Sequence, residues 1–351
     1  MTADRHNVVV ALSGGVDSSV AAALLLESGC NVQGVFMITC EQGRRAQAEA
    51  EEVARRLGLQ LTVLDLCDDF AQILGYFFDE YAKARTPNPC VMCNRLVKFG
   101  KLWDFARQAQ AEYLATGHYA KVLQRDGAVG LYEGADPAKD QSYALSMIRR
   151  DVLAHVLLPM GEHSKDQTRQ IARRLALGTE AKAESQEICF IPDDDYVALL
   201  ERRHPELIRQ GQIVDCSGKV LGTHQGIHRF TIGQRRGLRV AMGKPYYVIG
   251  LDAGSNTVIL GPKEEVMHRR LTAGEVNWLI EPPQSAFSAT VKIRYNDRGK
   301  PATVHPVGRL AEVEFDKPNM AITPGQLAVF YVDEGRLRRV AGAGWIERAD
   351  D

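Results

Sequence analysis

A chain of 351 residues, 45% hydrophobic and 25% charged, has ordinary globular composition and the length of two or three domains rather than one. A formal net charge of −1 argues against a strongly basic nucleic-acid binder. The charge is unevenly spread: residues 1–200 carry 21 Lys and Arg against 27 Asp and Glu, residues 201–351 carry 22 against 17. That leaves either a mildly basic C-terminal part suited to phosphate backbones or a chance fluctuation of a few charges.

The start has an apolar run only at residues 8–12, which fits neither a signal peptide nor a membrane span, so a cytoplasmic protein is expected. Residues 7–12 read as a buried strand, 13–17 as a glycine turn and 18–27 as an Ala/Leu-rich helix stopped at Gly29. A strand at 31–38, a helix at 44–57 closed by Gly58 and a strand at 60–66 continue the alternation, which predicts a doubly wound parallel sheet with ligands at the C-terminal strand ends. Residues 113–116 predict a further strand leading into Gly117-His118-Tyr119, and 165–175 a helix. After Pro205, short Val/Ile/Thr-rich segments punctuated by Gly, at 246–251, 257–260, 289–295 and 327–331, predict antiparallel strands. The expected fold is α/β: a doubly wound domain over 1–204, a small β-rich middle domain over 205–268 and a C-terminal β-barrel over 269–351.

Ser13-Gly14-Gly15-Val16-Asp17-Ser18-Ser19 follows a strand and opens a helix, so backbone N–H groups and the helix start would face an anion such as phosphate. No Lys follows the glycines, which separates this loop from the Walker A motif of phosphoryl-transfer enzymes. It resembles instead the PP-loop of ATP pyrophosphatases, which hold pyrophosphate and attack the α-phosphorus. Asp17 then has a role in positioning Mg²⁺ or pyrophosphate. The plainer alternative is a structural Gly-Gly turn with serine caps.

The seven cysteines, Cys30, Cys40, Cys67, Cys90, Cys93, Cys189 and Cys216, are an odd number in a reducing compartment, which argues against a disulfide framework. Thr86-Pro87-Asn88-Pro89-Cys90-Val91-Met92-Cys93-Asn94 precedes an amphipathic segment in which Leu96, Phe99, Leu102 and Phe105 are expected on one face. Cys93 near a helix N-terminus would have its thiolate favoured by the dipole. One CxxC pair remains open among redox, zinc and cluster binding. Cys30, Cys40 and Cys67 are expected to be buried as small hydrophobes, and Cys216 to be a loop thiol.

Eight segments in order along nearly the whole chain resemble the tRNA-specific 2-thiouridylase family. They are 13–20, 34–37, 86–94, 115–119, Lys139-Asp140-Gln141-Ser142-Tyr143, Ile188-Cys189-Phe190-Ile191, 231–238 and 323–330. The resemblance implies ATP- and Mg²⁺-dependent 2-thiolation of the wobble uridine of tRNAs for Lys, Glu and Gln, with sulfur from a cysteine desulfurase or persulfide carrier and no membrane partner. It implies ATP contacts by Ala11, Leu12, Ser13, Gly14, Gly15, Val16, Asp17, Ser18, Met37 and Gly117. Cys93 would be the nucleophile and Cys189 the persulfide carrier, the two closing a disulfide after transfer. Asn88, Pro89 and Cys90 would meet the target base, and Lys139, Asp140, Gln141, Arg294 and Tyr295 would contact tRNA.

Two departures stand out. Many members have Asp where this chain has Cys90, so Cys90, Cys93 and Cys189 form a three-thiolate set suited to a [4Fe–4S] cluster with one open iron, or, with a further donor such as His118, to zinc. The stretch 39–45 is also shorter than the acidic insertion of many relatives. Rival readings are another PP-loop ligase of the GMP or argininosuccinate synthetase type, which has no need of Cys93 and Cys189, and an RNA-binding iron–sulfur redox sensor.

Overall fold

In a computed structural model, residues 5–39, 43–179, 188–191, 195–240 and 243–350 are described. Strands β1 (Asn7–Ala11), β2 (Asn31–Ile38), β3 (Leu61–Asp65) and β4 (Tyr113–Ala115), joined by the short β7 (Val156–Leu157), form a parallel sheet in the order β3-β2-β1-β4-β7. Val8, Val9 and Val10 are all buried because helices cover both faces, so β1 is an unbroken apolar run and not an alternating one. Each such burial contributes about 2 kcal/mol. Helix α1 (Val16–Glu27) lies close to the sheet because Ser19, Ala21 and Ala22 are small enough for its backbone to approach. The order of connections reverses between β1 and β4, and a doubly wound sheet opens its ligand crevice at that point.

Hairpin β5 (Ala120–Arg125) and β6 (Ala128–Glu133) departs from the predicted alternation by leaving the parallel sheet and pairing with the last strand of the chain. That strand, β17 (Leu337–Asp350), belongs to a six-stranded closed barrel with β12 (Met267–Trp278), β13 (Phe287–Lys292), β14 (Lys300–Val307), β15 (Leu310–Met320) and β16 (Leu327–Glu334). From residue 310 to 315 alternate residues of β15 point inward, Ala311, Val313 and Phe315 filling the barrel. A single apolar core runs from the helices beside the first sheet, through Val91, Phe99 and Leu102, to Leu327, Val329 and Tyr331 of the barrel.

The middle sheet has the order β10-β11-β8-β9, from β8 (Gly211–Asp215), β9 (Val220–His224), β10 (Tyr247–Asp252) and β11 (Thr257–Gly261). Its β11–β8 pair is parallel, which corrects the all-antiparallel expectation for the second half. Among the described residues no helix is long and apolar enough to cross a membrane.

Candidate active site between the glycine loop and the cysteine helix

The loop after β1 is built by its own side chains. Leu12 donates its N–H to Val35 O at 2.8 Å, and the chain then turns through Gly14 at φ +73°. A Cβ at Gly14 would stand 2.8 Å from Glu49 Cβ, so both conformation and space require glycine. Ser13 N–H donates to Ser18 Oγ at 3.1 Å, and the Ser18 and Ser19 hydroxyls donate to Gly15 O at 3.2 and 2.7 Å. Gly15 is the N-cap of α1, whose first turn carries N–H groups that no helical carbonyl can reach.

Asp17 is held by residues far away in sequence. Lys165 Nζ donates to its two carboxylate oxygens at 2.7 and 2.8 Å, and the Tyr119 hydroxyl donates to Oδ1 at 2.7 Å. Lys165 is the first residue of α8 (Lys165–Arg174), which Ser164 and Gln167 fix with a capping box. Gly117 packs against the loop itself: a Cβ there would lie 2.7 Å from Asp17 C and Ser18 N.

Together these pieces enclose a cleft of about 350 Å³ lined by Ala11, Leu12, Ser13, Asp17, Ser18, Val35, Phe36, Met37, Lys98, Thr116, Gly117, His118 and Gln141. Gly14, Gly15 and Val16 form the back of the loop, and Val16 points into the core. Sequence reasoning missed Lys165 and Tyr119, which anchor Asp17, and it missed Lys98.

Lys98 brings the far wall of the cleft in from the continuation of the cysteine helix, α4 (Pro89–Cys93), which is capped by Asn88, whose Oδ1 accepts the Val91 N–H at 3.3 Å. The helix runs without a break into a π-helical segment, Asn94–Lys101, and then α5 (Leu102–Gln108). A π turn closes its hydrogen bonds between residues i and i+5, which brings residues five apart toward one face. Lys98 thereby shares the face of Cys93, while Leu96, expected on the apolar face, is 37% exposed and Val97 takes its place in the core. Cys93 is therefore not at a helix start: it lies inside a continuous helix, buried with Phe70, Phe77, Val97, Phe190 and Ile191.

Burial pushes the Cys93 thiol above its ordinary range and Cys90 pushes the same way, while the Lys98 ammonium pulls it back. Cys90 is exposed but recessed, and loss of surrounding water raises its thiol too, again opposed by Lys98. His118 is held well below its usual pKa by enclosure and by Lys98, so the ring is neutral at physiological pH. Its Nδ1 lies 2.7 Å from Thr116 Oγ1 and its Nε2 3.5 Å from Lys98 Nζ.

The segment carrying Cys189 reaches this wall through Ile188, Phe190 and Ile191, which join the Cys93 cluster, and Cys189 itself is exposed. Among the described residues no three His, Cys, Asp or Glu side chains converge on a point that could hold a metal ion. Among the described residues the expected three-thiolate site of Cys90, Cys93 and Cys189 is not assembled. Cys30 and Cys67 are half-buried rather than core residues, Cys216 is exposed in the turn after β8, and Cys40 lies outside the described residues.

The barrel completes the wall. Gln326 Nε2 donates to Thr86 O and Pro87 O at 3.1 and 3.0 Å, and Thr86 N–H donates to Pro324 O at 3.0 Å. Gly325, at φ +91°, lies so close that a Cβ would meet Thr86 O at 2.7 Å. Tyr295 is 42% exposed, and burial of part of its ring with the charges of Asp140 and Cys90 raises its phenol pKa. Arg294 donates to Met320 O and Ala321 O at 2.8 and 2.6 Å.

Of the expected tRNA-contacting run, Lys139 is half-exposed, but the Asp140 side chain is turned inward at 6% exposure. There it accepts from Gly134 N–H and Ser142 Oγ beside Lys292 of the barrel. Gln141 faces the cleft and pairs with the Tyr119 backbone. Both therefore hold the catalytic domain together, a role the resemblance did not imply.

A doubly wound sheet whose switch-point loop is a lysine-free Ser-Gly-Gly-Val-Asp-Ser-Ser turn defines the class, a PP-loop ATP-binding protein. Family models described as a tRNA methyl transferase HUP domain, a tRNA methyl transferase PRC-barrel domain and an aminomethyltransferase beta-barrel domain match residues 6–193, 198–262 and 268–346. The chain is 44% identical to the tRNA-specific 2-thiouridylase MnmA of Carboxydothermus hydrogenoformans over 98% of each chain. It is also 44% identical to that of Syntrophotalea carbinolica over 99% of this chain and 100% of the relative. It belongs to the tRNA-specific 2-thiouridylase family.

Proposed function

We propose that this protein uses Mg²⁺-ATP to replace O2 of the wobble uridine of tRNAs for Lys, Glu and Gln by sulfur. The observation that carries this reading is that Lys98 lines the nucleotide cleft and also shares the face of Cys93, so an activated base and a thiol would meet at one wall. In the first step uridine O2 attacks the α-phosphorus and pyrophosphate leaves, held at the Ser13–Ser18 loop. Gln326, Asn88 and Pro89 shape the entry for a base that has left its stack. Anticodon bases leave easily because they are already unpaired.

In the second step a donor such as a cysteine desulfurase has loaded Cys189 as a persulfide. The Cys93 thiolate attacks the inner sulfur, Cys93 and Cys189 close a disulfide, and hydrosulfide is released. Hydrosulfide adds to C2 and AMP departs with O2. External thiol then returns two electrons to the disulfide. Lys98 would stabilise in turn the thiolate, the hydrosulfide and the departing phosphate.

The test is to incubate the protein with unmodified tRNA, ATP and a desulfurase system, and to measure 2-thiouridine, AMP and pyrophosphate. One AMP and one pyrophosphate per thiolated uridine is expected. ATP turnover indifferent to tRNA would instead favour another PP-loop ligase. Protein purified without oxygen should thiolate while free of iron; about four iron and four sulfide per chain would replace the persulfide route by a cluster.

A further inference from the structure

Between Asp215 and Asp252 the chain has no acidic residue and six Lys or Arg. Four of them, Arg235, Arg236, Arg239 and Lys244, are exposed, and none is ion-paired among the described residues. Some exposed cations elsewhere have partners, Arg44 with Asp65, Arg150 with Glu281 and Arg174 with Glu27, and others such as Arg298 and Lys317 have none among the described residues; what sets this loop apart is that its four cations crowd into residues 235–244. A run of like charges left uncompensated repels itself, and it persists most naturally where an outside anion balances it.

Up to residue 240 the loop that carries these cations is built, not slack. Gly233 and Gly237 take φ +85° and +77°, and Arg239 itself is left-handed at φ +54°. Gln234 pins the turn by accepting the Thr231 N–H at 3.0 Å and donating to Arg236 O at 3.1 Å. Leu238 is buried in the core of the middle sheet, and Val248 N–H donates to Gln234 O at 2.9 Å. Arg235, Arg239 and Lys244 thus surround a concavity of about 270 Å³ with Tyr246 beside Lys244.

The root of the loop touches the barrel. A Cβ at Gly233 would meet Ala321 Cβ at 2.4 Å, and Ala321 O is the acceptor that Arg294 holds. The root of the basic loop therefore lies against the barrel segment to which Arg294 is bonded. Guanidinium groups bind phosphate oxygens in pairs, and cations carried on a hydrogen-bonded turn need little ordering of the backbone on binding.

We propose that this concavity of the middle domain is a docking site for the sugar–phosphate backbone of tRNA, an inference that rests on the thiolation reading. It supplies affinity without reading bases, as phosphate contacts do.

The test uses the full chain and a combined Arg235→Ser, Arg239→Ser, Lys244→Ser variant. Binding of unmodified tRNA is measured from 50 to 200 mM KCl, with ATP binding and binding of inorganic phosphate alone measured in parallel. Each lost phosphate contact lowers the slope of log K against log salt by about 0.7–0.9, so the variant should lose about 2 from its slope and about tenfold in affinity at the lowest salt. Its ATP affinity should stay at the wild-type value. An unchanged slope and affinity would overturn the proposal, and so would a variant that loses only inorganic phosphate or ATP, since the concavity would then serve a free anion. A wild type that binds no tRNA at all brings down the thiolation reading first. Charge reversal at one position, Arg239→Glu, should reproduce about a third of the slope change.

Discussion

The two walls of the cleft differ in how complete they are. On the nucleotide wall the polar groups have partners within the protein: Ser18 and Ser19 on Gly15 O, and Asp17 on Lys165 and Tyr119. On the cysteine wall the Lys98 charge acts on two thiols and lies 3.5 Å from a neutral imidazole, and among the described residues the Oδ1 of buried Asn94 has no partner. One wall is a finished mould for phosphate. The other holds a positive charge with no carboxylate partner among the described residues, beside groups that turn negative only when they react, which is where electrostatic stabilisation of a reacting state has the most effect.

The sharpest way to separate the walls is Cys93→Ser. Formation of 2-thiouridine should fall by on the order of 10³ or more, while tRNA-dependent pyrophosphate release continues. If both fall together, the walls do not act independently. Gly117→Ala strikes the finished wall: its methyl group would lie 2.7 Å from Asp17 C and Ser18 N, and the loop would have to move. A displaced phosphate cradle should lose about 10² in kcat/KM for ATP, with alkylation of Cys93 unchanged.

Lys98→Met should act on the unfinished wall. Burial already raises the Cys93 thiol pKa and Lys98 opposes it, so removing the ammonium moves the pKa further up. A rise of one unit cuts the thiolate fraction below the pKa about tenfold, so iodoacetamide labelling of Cys93 at pH 8 should slow by about that factor. The whole rate profile should shift to higher pH, and Lys98→Arg should largely restore it. Gln326→Ala removes two hydrogen bonds between barrel and cysteine loop and should have the smallest effect. A loss of about 1 kcal/mol in urea unfolding and a few-fold rise in KM for tRNA are expected.

Legibility in the sequence followed the same divide. The glycine loop was readable because its working parts are seven consecutive residues between a strand and a helix, and the first three strands were expected within one residue of where they lie. Lys165 was not readable, because it meets Asp17 across 148 residues and lies in an ordinary-looking helix. Lys98 escaped because 3.6-residue periodicity was applied to a π turn, which put Leu96 on the wrong face. Asp140 was expected among the tRNA contacts that the resemblance implied, yet its side chain turns inward beside Lys292 of the barrel. The barrel itself was readable from its Val/Ile/Thr segments and glycines, but nothing local announced that β5 and β6 would leave the first domain to join it.

That shared sheet constrains how the chain is made. Arg339 in the last strand bonds to Val129 O at 3.4 Å, 210 residues away in sequence. On the ribosome, residues 120–133 emerge long before the strand they pair with, and at about 5–20 residues per second the wait is on the order of tens of seconds. During that interval β6 presents an open edge, the kind of surface that recruits the wrong partner. The molecule trades quick, piecewise folding for a catalytic domain that is finished only when the barrel is.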